Sequence, residues 1–288
     1  MERKQAVSSA RWAALLTIAV VAATSVAAGQ TACTPSGQDP HKVGIVLLHG
    51  KNTFIPAGMV SRVRAARSDE RVLPLAKALR AQGYRVVLPE MPWSSDHVYD
   101  ISYDEAMDKI AAEVAKLKAA GAEKVVVIGH SMGGNAALGY GALKSGEAAI
   151  IAIAPGVDPA GKRFRAHAAE SVETARAMVA EGKGGKKATF DDFNAGEKGT
   201  VTTTAEHYLS YFDPDSHAVI PRNVAKLAAG TPLLWVAAQD DPLTQLGEDY
   251  AFSKAPANPF NRYVIVPGRH QDAPVASVET VIAWLKCL

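Results

Sequence analysis

The pentapeptide Gly129-His130-Ser131-Met132-Gly133 sets one serine between two glycines. The β-branched run before it, VVVI, reads as a strand. The small and helix-forming residues after it, MGGNAAL, read as a helix. A serine on so abrupt a turn takes strained backbone angles, and residues without side chains let strand and helix approach. The hydroxyl then stands at the strand end, placed to attack. Alone it is a weak nucleophile, so it needs a base, and the base needs an acid to orient it.

With a strand–serine–helix turn the partners follow in the order serine, acid, histidine. The chain holds eight histidines. His41, His49, His97 and His130 precede Ser131, while His167, His207 and His217 fall in a long segment ahead of any late acid. His270 alone follows the apolar run VIVPG, in the loop before the last helix, and is the base candidate. Asp240 and Asp241 both stand just after the run PLLWVAAQ, and either has the right place for the acid. Acyl transfer develops negative charge on the carbonyl oxygen, which backbone N–H donors stabilise. Met132, directly after the serine, offers one N–H. Lys51, after the first strand and its His49-Gly50, offers the other. His49 reads as a structural hydrogen-bonding residue.

Positioning these groups needs a scaffold. Six apolar runs fit buried strands: KVGIVLL, YRVVLPEMPW, EKVVVIG, AAIIAIAPG, TPLLWVAAQ and NRYVIVPG. Between them lie helical stretches such as RVLPLAKALRAQG and SYDEAMDKIAAEVAKLKAAG. The pattern predicts an α/β fold with a doubly wound, mostly parallel sheet of about six strands, its reactive residues at the carboxyl ends. From about 157 to 230 no strong strand pattern occurs. That segment reads as a helical, lid-like insertion, too long for a plain connection. Its Tyr208, Tyr211 and Phe212 fit either contacts of a lid or packing beneath it. Trp93, Ser94, His97 and Tyr99, after the second strand, fit either a pocket lining or loop packing.

The composition is 48% hydrophobic and 21% charged, with a formal net charge of +2. No strongly basic segment marks a nucleic-acid binder. Residues 1–28 combine a basic start, an apolar run and small residues, which describes an export signal. Export to a periplasm or medium is therefore expected; an uncleaved membrane anchor at the N-terminus is the alternative. Removing that segment takes away three basic residues and one acidic, leaving the rest neutral. Residues 29–42 read as a linker and 43–288 as one domain. The two cysteines, Cys33 and Cys287, suit a disulfide in an oxidising compartment or two separate thiols. No Cys/His spacing suits a metal.

Four motifs together resemble the α/β-hydrolase family: HG after the first strand, GHSMGG at the turn, QDDP after the late strand and PGRH near the end. The likeness covers most of the chain from Val43. It implies that fold, a Ser-His-Asp triad and a cofactor-free hydrolysis of a small-molecule acyl substrate, carboxylic esters ahead of thioesters and amides. In hydrolases of this type the acid follows a proline and a glycine-like position at set spacings and opens a D-P-x-T ending. Pro232, Ala238 and Asp241-Pro242-Leu243-Thr244 then favour Asp241 over Asp240, with Ala238 departing from the usual glycine. Little room precedes Val43 for two further antiparallel strands, so the sheet is expected to be trimmed to six. The rival reading, of another class, is a non-catalytic member that binds a ligand or partner.

Overall fold

The four central apolar runs, VGIVLL, KVVVIGH, AIIAI and LLWVAA, form strands buried at nearly every residue, which is why they read as continuous rather than alternating. The computed structural model describes residues 34–52, 55–56, 69–144, 148–194 and 197–288. The expected signal segment, residues 29–33 of the linker and Cys33 lie outside the described residues.

In chain order the elements are β1 (Val43–Leu48), β2 (Ile55–Pro56), α1 (Leu73–Ala81), β3 (Arg85–Val87), α2 (Tyr103–Ala119), β4 (Lys124–His130), α3 (Met132–Leu143) and β5 (Ala149–Ile153). Then follow α4 (Lys162–Ala180), β6 (Lys187–Asn194), β7 (Glu197–Thr204), α5 (Ala205–Phe212) and α6 (Ile220–Ala225). The chain ends with β8 (Leu233–Ala238), β9 (Arg262–Val266), α7 (Ala273–Ala276) and α8 (Val278–Leu285). Six strands pair in the order β3-β1-β4-β5-β8-β9. Every pairing in this sheet is parallel. Alternate residues point to opposite sides. Ile45, Leu47, Val126 and Ile128 pack with Leu75 and Leu79 of α1 and Trp284 of α8. Val46, Leu48 and Val127 pack with α2, α3 and residues of the 157–230 segment. The sheet is thus doubly wound, as the sequence predicts.

Helix starts follow local chemistry. Ser102 caps α2 by accepting from the Glu105 N–H at 3.2 Å, and Glu105 reaches back to the Ser102 N–H at 2.7 Å. This reciprocal pair satisfies two donors that the first turn would leave unpaired.

The segment between β5 and β8 corrects one expectation. It is not purely helical: β6 and β7 form an antiparallel hairpin, and β2 joins β7 to make a separate three-stranded sheet. Its aromatic residues are core. Tyr208, Tyr211 and Phe212 are fully buried against Tyr99, Tyr103, Phe164 and Phe190. Trp93, Ser94 and Tyr99 are buried as well, which favours the packing reading for both aromatic groups.

Asn135 of α3 joins three parts of this packing. Its amide donates to the carbonyls of Val157 and Ala218, both at 2.8 Å, and its Oδ1 accepts from Tyr103 Oη at 2.8 Å. Buried polar groups left without partners are costly. Asn135→Ala is therefore expected to lower stability by about 2–4 kcal/mol. In a domain of this size that corresponds to a fall in Tm of roughly 5–15 °C by calorimetry.

Candidate active site

Ser131 sits at φ 56°, ψ −120°, a left-handed conformation that few residues with a side chain adopt. Such strain costs on the order of 1–3 kcal/mol and persists only where the surroundings enforce it. They do so here. The Ser131 N–H donates to Ile153 O at 3.0 Å, and its carbonyl accepts from Asn135 and Gly156 at 3.0 and 3.1 Å. β4 and α3 are nearly in contact at the turn. A Cβ on Gly129 would lie 2.0 Å from Gly133 O, and one on Gly133 would lie 2.6 Å from Leu48 O and His49 O. No side chain fits at either position.

The strand ends bring three side chains to one point. Ser131 Oγ lies 2.9 Å from His270 Nε2, and His270 Nδ1 lies 2.5 Å from Asp241 Oδ2. Nδ1 therefore carries the proton given to the carboxylate, and Nε2 is left to accept from the hydroxyl. Asp241 Oδ1 also accepts from the Leu243 N–H at 2.9 Å. Burial pushes the Asp241 carboxyl up, but the bonds from His270 and Leu243 outweigh it, so the net shift is downward. The neighbouring Asp240 is exposed, its N–H bonded to Gly268 O.

Above the serine runs the loop after β1. Gly50 passes so close that a Cβ there would lie 3.1 Å from Ser131 Cβ. Lys51 turns its side chain inward, where Nζ meets Asp192 Oδ1 of β6 at 2.7 Å with both side chains fully buried. Met132 opens α3, so its N–H has no acceptor within the helix. A cavity of about 400 Å³ opens from Ser131 and His270. Val157, Phe164, Phe193, Leu243 and Tyr250 give it apolar walls.

A family model described as "Alpha/beta hydrolase family" matches residues 45–282. The chain belongs to that family. No curated protein matches the sequence. Among solved structures, this α/β hydrolase resembles one from a study of LipS and LipT, two metagenome-derived lipolytic enzymes. The TM-score is 0.57 at 14% identity, over 89% of this chain and 98% of that one. It also resembles Est1E from Butyrivibrio proteoclasticus with ferulic acid bound, at TM-score 0.54 and 15% identity over 86% and 90% of the two chains. A Paleococcus ferrophilus monoacylglycerol lipase gives TM-score 0.56 at 16% identity, over 85% and 96%. At these identities the likeness is one of fold.

The hydrolase's residues singled out in the sequence fall at one place: Ser131, His270, Asp241, Met132 and the Lys51 loop all meet at the carboxyl edge of the sheet. Trp93, Ser94, His97 and Tyr99 are not among the described residues that line the cavity. Two groups carried no signal. Asp192 lies in a polar stretch, FDDF, that gave no sign of burial. His130, between Gly129 and Ser131, donates from Nε2 to the His270 carbonyl at 2.9 Å and so steadies the histidine loop.

Burial, then the nearby His270, pushes His130 down to about 3. His49 is lowered too, by burial. His130 stays neutral in the folded chain while its unfolded counterpart protonates below about 6.5, and His49 is shifted in the same direction. Between that pH and roughly 4 the unfolded state binds more protons, so stability falls as the pH falls. Asp241 adds to this loss only below its unfolded value near 4. We expect the Tm to drop on acidification from pH 6.5 to 4.5. His130→Gln, which keeps a donor for the His270 carbonyl, should flatten that slope by at most ~1.4 kcal/mol per pH unit. An unchanged slope in the variant would count against the buried neutral imidazole.

Proposed function

We propose that the protein is an exported serine hydrolase that cleaves carboxylic esters through an acyl-enzyme on Ser131. The observation that carries this reading is the hydrogen-bonded chain Ser131–His270–Asp241 at the mouth of an apolar cavity. In the reaction His270 Nε2 takes the hydroxyl proton as Ser131 Oγ attacks the ester carbon. The carbonyl oxygen becomes an oxyanion, stabilised by the N–H groups of Met132 and Lys51. The tetrahedral adduct collapses, His270 returns its proton to the departing alcohol, and the acyl group remains on Ser131. Water, activated by the same imidazole, attacks and releases the acid. Asp241 holds the imidazole in the right tautomer and stabilises its charged form.

Esters rank first because the cavity is largely apolar and because the lipolytic and esterase structures share the fold. Phe164 and Phe193 come from α4 and β6, so the inserted segment forms part of the cavity wall and fits the role of a lid. The basic, then apolar N-terminal segment supports export. The hydrogen-bonded triad disfavours a purely ligand-binding member.

A fluorophosphonate probe should label the wild type and fail to label Ser131→Ala. A well-folded wild type that remains unlabelled would sink the hydrolase reading. Asp241→Asn should cut kcat by about 10³–10⁴-fold, since the amide favours the wrong tautomer. Asp240→Asn should stay within about twofold of wild type.

The acyl preference follows from the cavity wall. Each methylene that enters it contributes about 0.8 kcal/mol, roughly fourfold in kcat/KM. Rates on p-nitrophenyl acetate, butyrate and hexanoate should rise in that order. A flat or falling series would show that the acyl chain does not use this cavity.

A further inference from the structure

We infer that Asp192, on the inserted hairpin, is a positioning residue for the oxyanion donor: its bond to Lys51 holds the main chain of residues 50–51 over Ser131. This rests on the acyl-enzyme reading above.

The Lys51 and Asp192 side chains are both fully shielded from solvent and meet at 2.7 Å. Lys51 Nζ also approaches Phe193 O at 3.3 Å and stands 5.6 Å from the centre of the Phe212 ring. Asp192 Oδ1 accepts a second bond, from the Phe193 N–H at 2.8 Å, while Oδ2 has no partner among the described residues. Taking two charges into such surroundings is costly, and an apolar pair of similar volume commonly serves stability as well or better. What an ion pair adds is direction. It fixes where Nζ must lie, and through a short stretch of chain it fixes the Lys51 backbone.

The neighbouring residues support the same role. Gly50 is pressed against Ser131, where a Cβ would lie 3.1 Å from Ser131 Cβ and 3.2 Å from His130 Nδ1. The Asn52 N–H donates to Trp93 O at 3.0 Å, and Asn52 Oδ1 accepts from the Ser95 N–H at 2.7 Å. A little further on, Ile55 and Pro56 pair with Thr200 and Gly199 of the hairpin. The loop that carries the donor is therefore tied to the inserted sheet at two points, one a buried ion pair and one a strand pairing. The insertion is a structural part of the oxyanion site as well as a wall of the cavity.

The test uses p-nitrophenyl butyrate with active sites titrated by a fluorophosphonate. Two variants remove the pair: Asp192→Asn, and the double Lys51→Met/Asp192→Leu, which leaves no uncompensated charge. Losing a whole oxyanion donor costs about 10²–10³-fold, so a displaced one should cost roughly 10–100-fold in kcat per titrated site. KM should stay within about twofold. The Ki of butylboronic acid, which forms a tetrahedral anion on the serine, should rise in parallel. Lys51→Arg, which keeps the pair, should recover most of the wild-type kcat.

Folded variants with wild-type kcat per titrated site and unchanged boronate affinity overturn the inference. So does loss of folding in both variants, which would make the pair a stability element. If only one variant folds, its kcat and Ki decide. Wild-type hydrolysis that survives Ser131→Ala would instead overturn the acyl-enzyme reading, and this inference with it.

Discussion

The site depends on one steric fact: β4 and α3 run almost into each other at Ser131. With Gly133 O only 2.0 Å from where a Gly129 Cβ would be, the turn exists because both positions lack side chains. The same contact forces Ser131 into its left-handed backbone. That backbone lifts the hydroxyl off the strand end and leaves the N–H of Met132 at the open end of α3. The approach also brings in the first strand, since Leu48 O and His49 O press on Gly133 from the other side. A single close contact thus sets the positions of Ser131, the N-terminus of α3 and the loop of residues 49–51 relative to one another. The remaining groups are delivered to that point by strand ends of the same parallel sheet, Asp241 after β8 and His270 after β9.

Against this rigid centre stands the inserted segment, which is built differently. Its hairpin has one buried face and one wet face, and to the aromatic packing that seats the insertion it adds polar, specific bonds to the rest of the chain. Asn135 ties the carbonyls of Val157 and Ala218 to α3, and Asp192 reaches Lys51 beneath the hairpin. Such contacts hold only in one geometry, unlike apolar packing, which tolerates sliding. The insertion is fastened to the donor loop and the nucleophile helix, the two elements on which the proposed chemistry rests.

This difference explains how much was legible in the sequence. The four inner parallel strands are plain in the sequence because strands buried on both faces are apolar throughout. VVVI before Ser131 and LLWVAA before Asp241 needed no further signal. The hairpin was missed because its alternation is masked. In KATFDDFN the buried residues are Phe190 and Asp192, and in EKGTVTTT they include Val201 and Thr203. Of the five buried positions Asp192 and Thr203 are polar and Gly199 has no side chain, so a period of two in burial does not appear as a period of two in hydropathy. Asp192 was invisible for the same reason: its burial depends on Lys51, 141 residues away. Asp240 and Asp241 are neighbours of the same type, and in the sequence only the spacing from Pro232 and Ala238 and the D-P-x-T ending favour the second. The structure separates them by side: Asp240 faces solvent and Asp241 faces His270.

Three imidazoles crowd this corner, and environment divides their roles. His49 has both nitrogens engaged, Nδ1 donating to Gly50 O and Nε2 accepting from the Met91 N–H, which leaves no lone pair free for a substrate proton. His130 spends its N–H on the His270 carbonyl, and its bare Nδ1 is buried beside Gly50, where a proton would be unsolvated. Burial pushes both downward, so neither takes up charge near neutral pH. His270 differs on both counts. Its side chain keeps 23% exposure, and a carboxylate sits behind Nδ1 to support a positive ring. Of the three, it alone can gain a proton at Nε2 without leaving a buried charge unpaired. Chain order favours His270 by its place after the last strand, and its exposure and carboxylate partner support the role proposed for it.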